Sequence, residues 1–574
     1  MSQRRVLVLI DNIESDYQIE MISGVLRATR AANVNAAIVA GGWLSTNRYA
    51  TSRNFVYDFI PQAAVDGILV LAGSLSNHVG IAAFQTWLSR FGSVPIVCIG
   101  LEIEGRPSVF VDNGVGMQAA VSHLIEKHDR RKIGFFRGPV ESSEAEQRYA
   151  AYERALASHD LTVDPQLICF GQSFGREDGH KGVSELLDQR GVALSRLDAI
   201  ACVNDDVALG AIEALTGRGI VVPDQIALVG FDDAPNARAA NPPLTTVNQC
   251  VELQGYTAGR ALVEALENAA PAISQRLDSR EVIRSSCGCQ IPYQNDSRKV
   301  EGEGRGMRSL SLAFLGRQMA LKAEMARAAA GRLGSQSGWE ERLLQALSRD
   351  LQHADGGFRY GLEGVARRAI AVGGSIDPCN DVLTELRLQV VGLTGGQPEL
   401  RPRVEDMFQE ARLMLTQVGL SAYRERDQAA TNHMRHIAKT CFETLGTGDA
   451  ELLSPALRAH LPPLGVAACT ISRLTAGPKP KLEVLARVAA DLGPTKAPVL
   501  PIASLGLEQS LLHRAAVLLM PLDFNQIPVG LAAFAWGAHN PLIYEQLREV
   551  LNVAVYASSR ASTRESAPAK VSSR

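Results

Sequence analysis

The sequence of 574 residues is too long for a single hydrophobic core and predicts about three domains. Its 58 lysines and arginines are balanced by 61 aspartates and glutamates, a net charge of −3 that gives no global signal for nucleic acid or an anionic membrane, although a local basic patch stays possible. The apolar run Val6–Ile10 is too short for a signal peptide, and no stretch approaches the roughly 20 apolar residues of a membrane span, so we expect a cytoplasmic protein.

The first half of the chain alternates strand-like and helix-like segments. The predicted strands are apolar runs at residues 6–10, 36–40, 65–71, 95–100, 133–136, 167–170, 199–203 and 226–231. Continuous apolar strands separated by helical patterns, such as 17–31 and 81–90, indicate parallel sheets covered on both faces. Two such sheets with a cleft between them fit this length, and ligands bind at the carboxyl ends of strands in such sheets.

Polar residues follow several of these strands in an ordered series. Asp112 and Asn113 form a turn into an amphipathic helix, which leads through a basic turn and a buried strand to a loop ending at Arg148. Asn204 follows the strand at 199–203, and Asp232 follows the strand at 226–231. Over residues 1–292 this series resembles the effector-binding domain of LacI/GalR-type repressors, a periplasmic-binding-protein-like sensor.

The resemblance implies an α/β fold, a two-lobed periplasmic-binding-protein-like type I domain with parallel sheets in Rossmann-like lobes. Such repressors carry a DNA-reading helix-turn-helix ahead of the first strand, whereas only four residues precede Arg5 here, so we expect the usual output to be missing. Ligand is expected to close the two lobes about a hinge near Arg130–Lys132 and near Pro242–Leu244.

The resemblance also implies that Arg148, Asn204 and Asp232 contact the ligand, since their side chains offer bidentate hydrogen bonds to a polyhydroxylated molecule. The alternative is that these three residues bond to one another or to the protein across the cleft. Tyr17 or Phe174 is expected to form an aromatic wall that stacks on a sugar face or a base.

Other polar residues at these strand ends have two interpretations. Asp112 and Asn113 either contact the ligand or only form a turn. Asp205 and Asp206 could cap the helix that follows them, and Asp233 could fix its own loop.

The loop from Asp11 to Tyr17 departs from the family pattern. It holds three acidic residues where relatives usually have a proline and small polar residues before an aromatic. Acidic residues at the entrance to the predicted cleft favour a neutral or cationic ligand over a phosphate.

Nine cysteines, an odd number, lie mostly in apolar segments and predict buried reduced thiols. Cys287 and Cys289 are the exception, because a single residue separates them. That spacing makes a poor tetrahedral zinc clip, and no second Cys or His pair lies nearby at the usual spacing. We interpret them as a tight turn leaving the sensor domain, with a metal or redox role as the less favoured alternative, and predict no metal ligands and no cofactor.

The second half changes composition. Residues 293–306 are a polar, glycine-rich linker, 307–447 are helical, 448–560 have a mixed α+β pattern that resembles a GAF-type domain, and 561–574 form a disordered tail. The last long helix carries a coiled-coil-like seam at Val404, Phe408, Ala411, Leu415, Val418 and Ala422, which slips and resumes at Ala430, Met434, Ile437 and Cys441. We expect a homodimer with this seam as its stalk, and a helix packed within its own bundle is the alternative.

No signature of a diguanylate cyclase, a P-loop or a kinase is present, so we expect a protein that is not an enzyme. The favoured function is a ligand-sensing regulator of transcription or signal transduction, which binds a sugar-like or nucleoside-like effector between its lobes. It would signal by lobe closure through its C-terminal half to a partner kinase or transcription factor. The alternatives are a regulator that contacts DNA through an unrecognised surface and a solute-binding protein of a transport system, which the lack of a signal peptide disfavours.

Overall fold

The computed structural model describes residues 4–45, 52–63, 65–268, 273–289, 314, 316–329, 333, 338–353, 356–371, 375–394, 401–447, 449–475, 480–488, 499–500, 515–537 and 540–565. The chain forms two compact units. One combines residues 1–291 with residues 433–574, and the other consists of residues 292–432. Among the described helices, none is long and apolar enough to cross a membrane.

Strands and helices alternate through the first part of the chain. The strands are β1 (Arg5–Ile10), β2 (Asn35–Ala40), β3 (Gly67–Leu71), β4 (Ile96–Gly100), β5 (Ser108–Val111), β6 (Ile133–Arg137), β7 (Ile168–Phe170), β8 (Ala199–Cys202), β9 (Ala227–Val229), β10 (Thr246–Asn248), β11 (Gln275–Leu277) and β12 (Arg280–Val282). The α-helices are α1 (Asp16–Ala31), α2 (Ala72–Ser76), α3 (Gly80–Leu88), α4 (Asn113–His128), α5 (Ser143–Ala157), α6 (Arg176–Ser184), α7 (Asp205–Thr216), α8 (Pro235–Ala239) and α9 (Val251–Asn268).

Ten of these strands form two parallel sheets, one in each lobe, whereas β10 and β12 form a separate antiparallel pair. The first-lobe sheet has the order β11-β5-β4-β3-β1-β2, and the second-lobe sheet has the order β7-β6-β8-β9. Every residue of β2, β3, β4 and β8 is buried, as expected for apolar strands covered by helices on both faces. The predicted α/β class with parallel sheets is confirmed. The sequence pattern missed β5, because this strand has only four residues and directly follows Gly105-Arg106-Pro107.

The chain crosses between the lobes at positions other than the expected hinge. Helix α4 packs in the second-lobe core through Met117 and Leu124, so the first crossing lies at Asp112, between β5 and α4. The chain returns between β10 and α9 and crosses again between β11 and β12. The expectation of a hinge near Arg130–Lys132 and Pro242–Leu244 is therefore wrong, since both segments lie within the second lobe.

Glycines allow pairs of helices to pack closely in both lobes. A Cβ on Gly24 of α1 would lie 2.0 Å from the backbone oxygen of Glu252 on α9, and one on Gly255 would lie 2.2 Å from that of Met21. In the second lobe, a Cβ on Gly210 of α7 would lie 2.0 Å from the backbone oxygen of Arg176 on α6. Side chains at these positions would push the helices apart.

The C-terminal part of this unit adds strands to the first-lobe sheet. Its elements are α14 (Arg401–Thr447, which begins in the other unit), α15 (Leu453–His460), β13 (Cys469–Leu474), β14 (Leu482–Val488), β15 (Val499–Leu500), β16 (Ala516–Phe524), β17 (Ile527–Ala535) and α16 (Leu542–Glu565). Strand β16 pairs in parallel with β2, and β17, β13, β14 and β15 follow in antiparallel order. The sheet is thus continuous from the first lobe into the segment predicted as a GAF-like domain, and the assignment of that segment to the GAF type stays a prediction.

The other unit is a helical bundle of α10 (Gln318–Ala329), α11 (Trp339–His353), α12 (Gly357–Ala371), α13 (Asp377–Leu393) and the first part of α14. Its core contains the seam residues Val404, Phe408, Ala411, Leu415 and Val418, none more than 5% exposed. This half of the seam is an intramolecular core, because its apolar side chains already pack against other helices of the same chain. It is therefore not the interface of a dimer stalk.

Candidate functional site

A cavity of about 420 Å³ lies between the two lobes, at the carboxyl ends of the strands. Its first-lobe wall includes Asp11, Asn12, Glu14, Tyr17, Gln18, Trp43, Ser74, Asn77 and His78. Its second-lobe wall includes Glu144, Arg148, Gln172, Ser173, Phe174, Asn204, Asp206 and Asp232, and Gln249 also contributes. Five predicted ligand residues therefore share this cavity, namely Tyr17, Arg148, Phe174, Asn204 and Asp232.

Arg148 is the buried cation of the second-lobe wall, with only 4% of its surface exposed. Its Nε donates to Asn113 Oδ1 at 3.0 Å, its Nη1 donates to the carbonyl oxygen of Val203 at 3.0 Å, and its guanidinium lies 3.9 Å from the ring centre of Phe231. The carboxylates of Asp232 and Glu144 are each 3.8 Å away, too far for a direct hydrogen bond. The guanidinium is thus fixed in orientation, while its contacts with the two carboxylates leave hydrogen-bonding capacity for a ligand.

Asp232 combines an unusual backbone with a buried carboxyl. Its φ of 125° lies in a region that side-chain-bearing residues rarely adopt, a strain that tends to persist at functional sites. Its Oδ1 accepts a hydrogen bond of 2.5 Å from Gln249 Nε2. Burial raises the pKa of Asp232 to about 7, although the positive charge of Arg148 opposes the rise. This carboxyl therefore changes its charge near neutral pH.

Asn204 is both a helix cap and part of the wall. Its Oδ1 accepts from the backbone N–H of Val207 at 3.0 Å, which caps α7, and its Nδ2 donates to the carbonyl oxygen of Phe174 at 3.0 Å. Each of its polar atoms keeps further hydrogen-bonding capacity. Asn204 thus positions the loop that carries the Phe174 ring.

The neighbouring acidic residues differ in role. Asp205 Oδ2 accepts from the backbone N–H of Ala234 at 2.9 Å and its Oδ1 from Thr246 Oγ1 at 2.5 Å, so it ties two loops together. Asp233 forms ion pairs with Arg284 and Arg238. Asp206, in contrast, lines the cavity, where Arg176 Nε lies 3.6 Å from its Oδ1. The cap of α7 is Asn204 rather than either aspartate.

Asp112 and Asn113 lie outside the cavity lining. Asp112 caps α4 by accepting from the backbone N–H groups of Gly114 and Val115 at 2.9 and 3.1 Å, which agrees with the turn interpretation. Asn113 is buried behind Arg148 and holds its Nε. Asn113 is therefore a positioning residue for the guanidinium.

Several wall residues were not predicted as ligand contacts. Trp43 is 44% exposed, and its ring centre lies 5.6 Å from that of His78. Glu144 is buried beside Arg148 on α5. Trp43 follows the end of β2 by three residues, so the strand-end argument that found Asn204 could have found it.

The cavity is rich in carboxyl groups. Asp11, Glu14, Glu144, Asp206 and Asp232 line it, against one arginine and one histidine. Burial raises the pKa of Asp11, Glu14, Glu144 and Asp206 above their usual values. Burial lowers the pKa of His78, which favours the neutral ring. The walls therefore suit hydrogen-bond donors and cations better than anions.

The spacing of Cys287 and Cys289 in the sequence predicted no metal ligands. Outside the cavity, the described residues contain one group of donors that could hold a metal ion, formed by His123, His128, Cys287 and Cys289.

Part of the chain is similar in sequence to known proteins. Residues 121–287 match the model of a periplasmic binding protein-like domain. The chain is 31% identical over 219 residues to the HTH-type transcriptional repressor PurR of Haemophilus influenzae, a match that covers 38% of this chain and 62% of the relative. It is 29% identical over 287 residues to the HTH-type transcriptional repressor CytR of Escherichia coli, covering 49% of this chain and 79% of the relative.

Solved structures also match about half of the chain. The transcriptional regulator CelR in complex with cellobiose matches 50% of this chain and 86% of its own, at 24% identity and a TM-score of 0.42. The chain spans 62% of the length of the PurR relatives that it matches. The chain thus contains a periplasmic binding protein-like domain, and this domain resembles the effector-binding domain of LacI/GalR-type repressors.

Proposed function

We propose that this chain is a ligand-sensing regulatory protein whose cavity binds a small polyhydroxylated effector of sugar or nucleoside type. The observation that carries the proposal is the composition of the cavity walls, where carboxyl groups, one oriented guanidinium and aromatic rings surround about 420 Å³. This volume is within the range of about 300–1,000 Å³ that is usual for small-molecule sites.

The side chains fit hydroxyl groups better than phosphates. Carboxylates on both walls accept hydrogen bonds from hydroxyls, and the Arg148 guanidinium donates to a ring or hydroxyl oxygen. Phe174 and Trp43 supply apolar surfaces for a sugar face or a base. A phosphate would face Asp11, Glu14 and Asp206 with few cations to compensate. A neutral effector, or one that carries an amine, is therefore favoured.

The effector would act by holding the lobes together. Contacts to both walls give the closed state a higher affinity, and only this difference in affinity can shift the equilibrium. Residues around the crossings, such as Ser279, whose Oγ donates to the carbonyl oxygen of Asp112 at 2.7 Å, would form the hinge.

The first lobe is in direct contact with the C-terminal half of the chain, so lobe closure could be transmitted through it. Strand β16 continues its sheet, and Glu14 of the cavity loop lies within electrostatic range of Glu545 and Arg548 on α16. We propose that closure is passed through this sheet and helix to a partner kinase or transcription factor.

A thermal-shift panel on the full chain tests the proposal, because a ligand that binds only the folded state raises the melting temperature by mass action. The panel contains neutral pentoses and hexoses, amino sugars, nucleosides and the matching sugar phosphates. Stabilisation by a neutral or amino compound, with a smaller effect of its phosphate, is the expected result. Stabilisation by phosphates alone would contradict the assignment.

The relatives named as HTH-type transcriptional repressors favour DNA contact as the second candidate function. A gel-shift series with genomic fragments at two salt concentrations separates the two, because binding to DNA weakens steeply with salt. A salt-sensitive, fragment-specific shift would support a direct DNA contact, and its absence would support signalling through a protein partner.

A further inference from the structure

Two histidines and two cysteines from distant parts of the sequence meet at the C-terminal end of α4. His123 and His128 belong to this helix, and Cys287 and Cys289 follow β12. One donor atom from each of the four residues lies within 4.8 Å of the others. The Sγ of Cys289 is 3.5 Å from His123 Nε2 and 3.4 Å from His128 Nε2.

These distances fit a tetrahedral metal ion. With zinc–sulfur bonds of about 2.3 Å and zinc–nitrogen bonds of about 2.0–2.1 Å, the sulfur and nitrogen ligands of a tetrahedron are about 3.6 Å apart. The donor types also fit, since two thiolates and two neutral imidazoles balance the charge of a divalent ion. Four protein ligands leave no open position, which is typical of structural rather than catalytic zinc.

The local backbone explains how residues separated by one position both reach the cluster. Gly288 has a φ of 111°, which turns the chain so that the two cysteines flank the same point. A Cβ at this position would lie 3.0 Å from His128 Nδ1, so the glycine also makes room for the imidazole. Asp129, with a φ of 51°, ends α4 directly after His128.

We propose that His123, His128, Cys287 and Cys289 form a structural zinc site that fastens residues 287–289 to α4. The same helix begins at Asn113, which positions Arg148 in the cavity. Strand β12, just ahead of the cysteines, pairs with β10 next to two of the crossings between lobes. The metal ion therefore fixes the second-lobe side of the hinge.

The first test measures metal directly. The full chain is dialysed against zinc under reducing conditions, freed of loose metal, and analysed by mass spectrometry of its metal content. A retained stoichiometry close to one zinc per chain is expected. Replacement of zinc by cobalt should give the intense visible absorption bands of a tetrahedral ion. A thiolate-to-metal charge-transfer band should accompany them.

Variants identify the ligands. Cys289→Ser and His128→Asn should each weaken zinc binding by more than the roughly 10–100-fold that loss of an outer-shell partner costs, and should remove or weaken the cobalt charge-transfer band. Cys250→Ser and His159→Asn make the same chemical changes outside the cluster and should leave the zinc affinity and the cobalt charge-transfer band unchanged. His123→Gln serves if another variant does not fold.

Three results would overturn the proposal. They are a wild-type chain that retains no zinc and shows no tetrahedral cobalt spectrum, a Cys289→Ser variant with wild-type metal affinity, and a Cys287–Cys289 disulfide that persists under the reducing conditions used. The last would assign the pair to a structural disulfide instead.

Discussion

Arg148 and Asn204 on the second-lobe wall of the cavity are held more firmly than Trp43 on the first-lobe wall. On the second-lobe wall, Arg148 has two hydrogen bonds and a ring contact, and Asn204 has two hydrogen bonds to the backbone. On the first-lobe wall, Trp43 is 44% exposed and packs on His78. The second wall also lies in the part of the chain that matches the periplasmic binding protein-like domain model. We infer that the second wall supplies preorganised binding, and the first wall supplies selectivity.

The largest effect should come from Arg148→Ala. The variant leaves the Asp232 and Glu144 carboxyls buried without their cation, and removing one partner of a buried ion pair costs about 3–5 kcal/mol of unfolding free energy. Effector binding should be lost as well. Urea denaturation measures the first effect, with Arg154→Ala, an exposed arginine on the same helix, as the control. A loss no larger than that of the control would show that the second wall is not held by Arg148.

Asp232→Asn should change how stability depends on pH. In the folded state the pKa of Asp232 is raised by burial to about 7, from an ordinary value of 3.8. The folded state therefore holds this proton more tightly than the unfolded state, and its contribution to stability is lost as the pH rises from about 4 to about 7. Because asparagine cannot ionise, the ligand-free variant should lose less unfolding free energy than wild type when the pH is raised from 5 to 8.

Urea denaturation at the two pH values tests this prediction. Asp112→Asn is a matched control, because that carboxyl caps a helix outside the cavity lining. An unchanged pH dependence in Asp232→Asn would mean that Asp232 does not titrate near neutral pH.

A smaller effect is expected on the first wall. Trp43→Ala should weaken effector binding by about 1 kcal/mol, the scale of an aromatic stacking contact, with little change in unfolding free energy because the ring is half exposed. It should also change the ranking of compounds in the panel. Phe442→Ala, another exposed aromatic residue, is the control. If Trp43→Ala leaves the effector affinity and the ranking of compounds unaltered, Trp43 does not determine selectivity.

The sequence predicted the second wall better than the first for a physical reason. Asn204 and Asp232 follow apolar strands that any parallel sheet must bury, so their location at the strand ends could be deduced. Trp43 and His78 lie on irregular segments whose direction depends on tertiary packing. Periodicity likewise identified α4 as a helix but could not show that Met117 and Leu124 pack in the second lobe. Because of this packing, the first crossing between the lobes lies before α4 and not after it.

Contacts between residues that are far apart in the sequence were also not predictable in other parts of the chain. Cys289 lies 161 residues from His128, so no local spacing could reveal their proximity. The seam of α14 has the periodicity of a coiled coil, but the same pattern serves a helix that packs in its own bundle, as Phe408 and Leu415 do. Only the packing partners distinguish the two.

Hydrogen exchange on the full chain, with and without the panel compound that stabilises it most, tests the central claim most directly. Our account predicts that the compound protects backbone amides on both walls, around Gln172–Phe174 and Asp232 on one side and around Asp11–Tyr17 and Ser74–His78 on the other. Arg148→Ala should abolish this protection at the same compound concentration. Protection confined to residues outside the cavity, or identical in Arg148→Ala, would contradict the assignment of this cavity as the effector site.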